Sequence, residues 1–161
     1  LLDQILDAHP DVQVIEERPA LLAVRDAVAE LPGGYPGGLE KLDEAGLQDL
    51  RARYWAALRQ EGAELETKTV INKLPLNIIH AGLIHRVFPE AKFILALRHP
   101  LDSVLSCFMQ DFEVNASMAH FLDIGDAARL YEAVMGLWQL YEGRFAILST
   151  ACCPASCRIS R

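Results

Sequence analysis

The fold is decided by a fifteen-residue stretch that joins a strand to a helix, Lys92-Phe93-Ile94-Leu95-Ala96-Leu97-Arg98-His99-Pro100-Leu101-Asp102-Ser103-Val104-Leu105-Ser106. Its apolar first part predicts a buried strand over residues 92–97. Pro100 suits the first turn of a helix, which we expect to reach residue 112. Arg98 therefore leaves the end of a strand, and Ser106 lies two turns into the helix that follows.

A second transition of the same kind comes earlier in the chain. Residues 69–71 are β-branched and predict a strand, Lys73 follows it, and Pro75 opens a helix to about residue 88. Apolar periodicity and breakers predict helices over 1–8, 18–31, 46–60 and 126–144, and a short strand over 12–15. Because strands alternate with helices, the pattern predicts one α/β domain with a parallel sheet and flanking helices.

The glycine-rich segment 33–38 is interpreted as a flexible surface connection. A phosphate-binding loop would follow a strand and enter a helix through Lys-Ser or Lys-Thr. This segment follows a predicted helix and has no such dipeptide, so we do not assign it to phosphate binding.

Composition excludes several classes of function. The 161 residues include 22 acidic and 15 basic side chains, a net charge of −7, which argues against general nucleic-acid binding. No apolar run approaches the roughly 18 residues of a membrane span. The absence of a signal peptide points to the cytoplasm. Three of the four cysteines lie in the last ten residues, which fits neither a disulfide framework nor a zinc site.

Polar side chains at the two strand ends suggest a site for an anion. Ligands of open parallel sheets bind beyond the carboxyl ends of the strands, where Lys73 and Arg98 are predicted. Arg presents a planar fork of donors to phosphate, and Ser106 can add a hydroxyl. The alternative, which spacing leaves equally open, is that Arg98 forms a surface ion pair with Asp102. Four of the histidines are interpreted as structural or solvated: His9, His80, His85 and His99.

Several separate motifs, in order and at matching spacing over residues 1–145, resemble the sulfotransferase superfamily. The likeness is greatest to the tyrosylprotein-sulfotransferase-like group, whose bacterial members often carry tetratricopeptide repeats upstream. The motifs are Leu2 to Leu6, Asp7-Ala8-His9-Pro10-Asp11-Val12, Glu16-Glu17, Lys73-Leu74-Pro75-Leu76-Asn77, Gly82-Leu83-Ile84, Phe88-Pro89-Glu90-Ala91-Lys92-Phe93, Arg98 to Ser106, and Tyr131 to Trp138.

This resemblance implies a P-loop-like fold and transfer of a sulfuryl group from PAPS to a hydroxyl or amine, with adenosine 3′,5′-bisphosphate as product and no metal. Arg98 and Ser106 match the pair that holds the 3′-phosphate. Lys73 matches the lysine at the transferring group and leaving phosphate. Glu17 matches the general base, although Glu16 could take its place. The acceptor could be a peptide, a carbohydrate or a small molecule, and a dimer is compatible with the sequence.

The chain also departs from the family pattern. A strand and a Pro-Arg-Ser-Gly-Thr-Thr-like loop for the 5′-phosphosulfate would come before residue 1, so we expect a domain truncated at both ends, inactive by itself and prone to aggregate. Tyrosylprotein enzymes have Arg where this chain has Pro19 and Gln110, which leaves the acceptor open. We expect residues 1–145 to be a partial sulfotransferase domain, and residues 146–161 an aberrant tail from a frameshift or a disordered one.

Two other functions remain as alternatives. A P-loop-type kinase of a nucleotide or small molecule shares the α/β layout and the phosphate-binding logic, but it would need a Gly-Lys-Ser/Thr loop and acids for Mg²⁺. A non-enzymatic nucleotide-binding remnant would need neither. Preference for adenosine 3′,5′-bisphosphate over ADP would argue against the kinase. Turnover by a repaired chain would argue against the remnant.

Overall fold

The structure is a computed structural model that describes residues 2–110 and 118–145, and the backbone of residues 148–152. The chain forms two compact units, Leu1–Pro89 and Glu90–Arg161. Each combines helices with a parallel pair of strands, which confirms the α/β class. In the described part of the chain, no helix is both long enough and apolar enough to cross a membrane.

The first unit follows the predicted alternation closely. Its helices are α1 (Leu2–Asp7), α2 (Ala20–Ala29), α3 (Gly34–Gly37), α4 (Glu44–Gln60) and α5 (Ala81–Val87), its strands are β1 (Val12–Glu16) and β2 (Thr69–Lys73), and its 3₁₀ turns are Gly38–Lys41 and Pro75–His80. The Asp43 side chain caps α4 by accepting from the Gly46 N–H at 2.9 Å. Pro75 occupies the first turn of its 3₁₀ segment, as expected from its fixed φ.

Strands β1 and β2 pair in parallel, with Val12 opposite Thr69 and Glu16 opposite Lys73. Since both strands end at the same edge of the sheet, this register brings Glu16 and Lys73 side by side. The pairing therefore positions the first group of candidate site residues.

The core of the first unit consists of two apolar clusters. The larger one joins α2, α4 and α5, and the smaller one packs β1 against α2 and α4. Full burial of one such side chain contributes about 1.5–3 kcal/mol. The clusters comprise Leu21, Val24, Val28, Leu47, Leu50, Leu83 and Val87, and Ile15, Ala20, Leu58 and Ala63.

The glycine-rich segment is not the surface connection that the sequence predicts. It folds into α3 and the 3₁₀ turn Gly38–Lys41, and Gly38 is buried. A Cβ on Gly38 would lie 3.1 Å from both Leu31 Cβ and the Val28 carbonyl oxygen. The prediction missed this because close approach of the chain to α2 requires glycine, which local composition alone attributes to flexibility.

The second unit contains two strands and two longer helices. They are β3 (Lys92–Ala96), α6 (Pro100–Phe108), a 3₁₀ turn Met118–Leu122, α7 (Ile124–Arg144) and β4 (Leu148–Cys152). The β3 and β4 strands pair in parallel, with Lys92 opposite Leu148. The Asp123 side chain caps α7 by accepting from the Asp126 N–H.

Three expectations for this unit need correction. Strand β4 lies inside the segment 146–161, for which the sequence predicts no strand. The interpretation of that segment as an aberrant or disordered tail stays a prediction, and residues 153–161 are outside the described part. Strand β3 is not buried, since Ile94 is 49% exposed. Helix α6 ends at Phe108, and positions 111 and 112 of the predicted helix are not described. The described strands of the two units form two parallel pairs.

Candidate active site

The first group of candidate residues surrounds the Lys73 ammonium at the ends of β1 and β2. Lys73 Nζ lies 2.7 Å from Glu16 Oε1 and 2.9 Å from Glu17 Oε1. Asp3 Oδ2, on α1, lies 3.8 Å from the same nitrogen. One cation thus faces three carboxylates, and the structure brings Glu17 and Lys73 together.

A reversal of the backbone allows both glutamates to reach one lysine. Successive side chains of a strand point to opposite faces, so a continued β1 would separate Glu16 from Glu17. Instead, Glu17 has φ of +54°, in the left-handed region. Its N–H still donates to the Lys73 carbonyl at 2.7 Å. The chain therefore turns at Glu17 and directs both carboxylates to the same ammonium.

A hydrogen-bonded chain of side chains next to Lys73 holds the end of β2. Asn72 Nδ2 donates to Tyr54 Oη on α4 at 3.1 Å, and Asn77 Nδ2 donates to Asn72 Oδ1 at 3.3 Å. Burial raises the pKa of Tyr54, although the hydrogen bond from Asn72 opposes this. The phenol is therefore neutral at physiological pH, and it anchors the backbone that carries Lys73.

Lys73 is charged, and its ion pairs are accessible to water. Partial burial lowers the pKa of Lys73, but hydrogen bonds to Glu16 and Glu17 outweigh burial and raise it above 10.5. Its side chain remains 32% exposed, and ion pairs near water are weak. An anionic ligand can therefore compete with the glutamates for the ammonium.

The second group of candidate residues lies around the start of α6. Arg98 Nε and Nη2 donate to Asp102 Oδ2 at 2.9 Å and 2.5 Å. This is the ion pair that the sequence left as an alternative to phosphate binding. Both side chains are more than half exposed, at 52% and 57%. The guanidinium is therefore partnered in this structure, but only by a group at the surface.

Ser106 lines an open groove along α6 next to that ion pair. The groove has a volume of about 420 Å³ and is formed by Asp102, Leu105, Ser106, Met109 and Gln110. Within the described residues the Ser106 hydroxyl makes no hydrogen bond. The neighbouring Cys107 is a partly buried thiol whose pKa is raised by burial, against the opposing charge of Arg98. The groove thus holds the Ser106 hydroxyl together with Asp102, the carboxylate that pairs with Arg98.

Sequence reasoning found four of the polar groups at these strand ends but missed others. Asp3 gave no local signal, because its position depends on the turn from α1 into β1, where Asp7 Oδ1 accepts from the Val14 N–H at 2.7 Å. The Asn72 and Tyr54 contact joins residues 18 positions apart, which periodicity does not reveal. Glu16 was named only as a substitute for Glu17, yet it makes the shorter contact with Lys73.

Comparison with known proteins shows the family to which the chain belongs. The sequence profile of the sulfotransferase family matches residues 1–149. The chain belongs to the sulfotransferase family. This match covers all four candidate residues named from the sequence.

Two known proteins are similar to this chain in sequence. An uncharacterized protein of Aquifex aeolicus (strain VF5) is 28% identical over 156 residues, covering 89% of this chain and 20% of that protein. Protein-tyrosine sulfotransferase 2 of Gallus gallus is 32% identical over 117 residues, covering 66% of this chain and 29% of that protein. The chain thus spans less than a third of the length of these relatives. No solved structure matches significantly.

Proposed function

We propose that this chain contributes to sulfuryl transfer from PAPS to a hydroxyl or amine acceptor. In this proposal Arg98 and Ser106 bind the 3′-phosphate, Lys73 contacts the transferring group, and Glu17 is the general base. The exposed Arg98 fork and the Ser106 hydroxyl suit the chemistry of a phosphate. Membership of the sulfotransferase family supports the reaction class.

The observation that carries the proposal is the 2.9 Å contact between Lys73 Nζ and Glu17 Oε1 at paired strand ends. A base and a cation at one place are what sulfuryl transfer requires. Glu17 would take the acceptor proton as the acceptor oxygen or nitrogen bonds to sulfur. Lys73 would stabilise the negative charge that appears on the phosphate oxygen as its bond to sulfur breaks.

The acceptor is proposed only as a class. The Gallus gallus relative is named for protein tyrosine. This chain has Pro19 and Gln110 where the resemblance implies arginines in tyrosylprotein enzymes. We therefore propose a hydroxyl or amine on a peptide, carbohydrate or small molecule.

Calorimetric titration of the 161-residue chain tests the donor site. We expect adenosine 3′,5′-bisphosphate to bind more tightly than ADP with Mg²⁺, the ligand that the kinase alternative favours. Arg98→Ala should weaken binding about 10- to 100-fold, the effect of losing hydrogen bonds to a charged group. Arg53→Ala is the matched control, because Arg53 forms a similar exposed ion pair with Asp49 on α4.

Preference for ADP, or equal loss in both arginine variants, would overturn the proposal. In the same experiment with PAPS and a panel of acceptors, we expect binding without turnover. The reason is that the one glycine-rich segment of this sequence folds into α3 and a 3₁₀ turn between helices, not into a phosphate loop after a strand. Turnover abolished by Lys73→Ala would contradict the expected inactivity, exclude a non-enzymatic remnant and strengthen the assignment of Lys73.

A further inference from the structure

Asp102 presents to Arg98 the kind of group that a phosphate would present. Two of the three guanidinium nitrogens, Nε and Nη2, converge on one carboxylate oxygen of Asp102. These are the donors that bind planar carboxylates and phosphates alike. While this ion pair is intact, both of these Arg98 nitrogens are directed to an anion of the protein itself.

Asp102 also occupies a position that favours negative charge. It belongs to the first turn of α6, where the helix dipole favours negative charge. It is one turn before Ser106, and both residues line the same groove. An anion held by Arg98 and Ser106 would therefore approach the Asp102 carboxylate. The two negative groups would repel each other.

We propose that Asp102 is a built-in competitor that holds Arg98 in the donor-free protein and is displaced when the 3′-phosphate binds. This inference rests on the proposed function, since it concerns the same phosphate site. Exposure of both partners makes the exchange feasible, because an exposed ion pair is weak. Asp102 would thereby limit affinity for the donor and favour release of the bisphosphate product.

The opposite role for Asp102 predicts the opposite result. If the carboxylate served only to orient Arg98 for the phosphate, its removal would leave the guanidinium less ordered and weaken binding. If it competes, its removal frees the donors of Arg98 and relieves repulsion, so binding becomes tighter. The direction of the change therefore distinguishes a competitor from a support.

The test is calorimetric titration of adenosine 3′,5′-bisphosphate into the wild-type chain and Asp102→Asn. We expect Asp102→Asn to bind about two- to fivefold more tightly, the range set by an exposed ion pair. Asp49→Asn is the matched control, since it removes the same charge from the exposed Asp49–Arg53 pair on α4. It should leave the affinity unchanged. Circular dichroism of each variant verifies that the helices are retained.

The outcomes separate this inference from the proposed function. If Arg98→Ala abolishes binding but Asp102→Asn binds equally or more weakly, the phosphate site stands and the competition is wrong. If Asp49→Asn tightens binding as much as Asp102→Asn, net charge explains the effect and the competition is again wrong. If neither the wild type nor Asp102→Asn binds the bisphosphate, both proposals are overturned.

Discussion

At the scale of single residues, the left-handed backbone of Glu17 is the feature that assembles the first site. A non-glycine residue with φ of +54° is unfavourable by about 1–2 kcal/mol. We predict that Glu17→Gly is more stable than Glu17→Ala by about 0.5–1 kcal/mol, because glycine adopts this conformation without a Cβ clash. Both variants lose the carboxylate, so their difference in chemical denaturation reports the backbone alone.

Glu16 supplies the control for that prediction. It is the last residue of β1 and has no positive φ, so glycine there should be less stable than alanine, by about 0.5–1 kcal/mol. The expected sign is thus reversed between adjacent positions. Equal stability of Glu17→Gly and Glu17→Ala would mean that the turn at Glu17 is not strained.

The same scale shows what sequence could predict about the site. The order of strands and helices predicts that Lys73 and Arg98 lie near strand ends, whereas the role proposed for Glu17 comes only from the family resemblance. The partner of Arg98 could not be chosen, because Asp102 and a phosphate satisfy the same donors. Long-range contacts such as Asp3 with Lys73 depend on the packing of α1, which no local pattern encodes.

At the scale of elements, His80 connects the start of α5 to α3 through a partly buried hydrogen bond. Its side chain is 9% exposed, and its Nδ1 lies 2.9 Å from Tyr35 Oη. Burial, and then the charge of Arg25, lower the pKa of His80 below 6.5. The folded chain therefore resists protonation of this ring.

This shift predicts a loss of stability in acid. Below pH 6.5 the unfolded chain binds a proton that folded His80 does not, so the free energy of unfolding falls as pH decreases toward the folded pKa. The slope for one proton is at most about 1.4 kcal/mol per pH unit. His80→Asn retains a polar partner for Tyr35 but does not titrate. The variant should therefore lack the part of the pH dependence of the free energy of unfolding that comes from His80. Urea denaturation between pH 7 and pH 5 measures it, and identical profiles for both proteins would contradict it.

The sequence predicts strands correctly where a local pattern determines their conformation. It fails where pairing with another strand determines it. Strands β1 and β2 were found from apolar and β-branched runs. Strand β4 was missed, because Leu148–Cys152 contains serine, threonine, alanine and cysteine, and its conformation is set by pairing with β3. The 3₁₀ segment Pro75–His80 was merged with α5 into one helix, since proline at the first turn suits either.

At the scale of the whole molecule, the two units differ sharply in how much apolar surface they bury. Of the 14 buried apolar residues in the described part of the chain, 12 belong to the first unit. Of the 11 large apolar side chains that are exposed there, nine belong to the second unit, including Leu101, Met109 and Leu122, each more than 70% exposed. The expected tendency to aggregate should therefore originate mainly from the second unit.

Hydrogen exchange should reveal this difference as unequal local stability. Amides of α4 are expected to exchange more slowly than those of α7, although α7 is longer, because α4 packs Leu47, Leu50 and Leu58 into both core clusters. Helix α7 buries Trp138, whose indole N–H has no partner among the described residues, which costs about 1–3 kcal/mol. Leu58→Ala, expected to cost about 2–5 kcal/mol, should accelerate exchange in α4 and remove most of the difference. Equal protection of α7 and α4 in the wild-type chain would contradict the lower stability expected for the second unit.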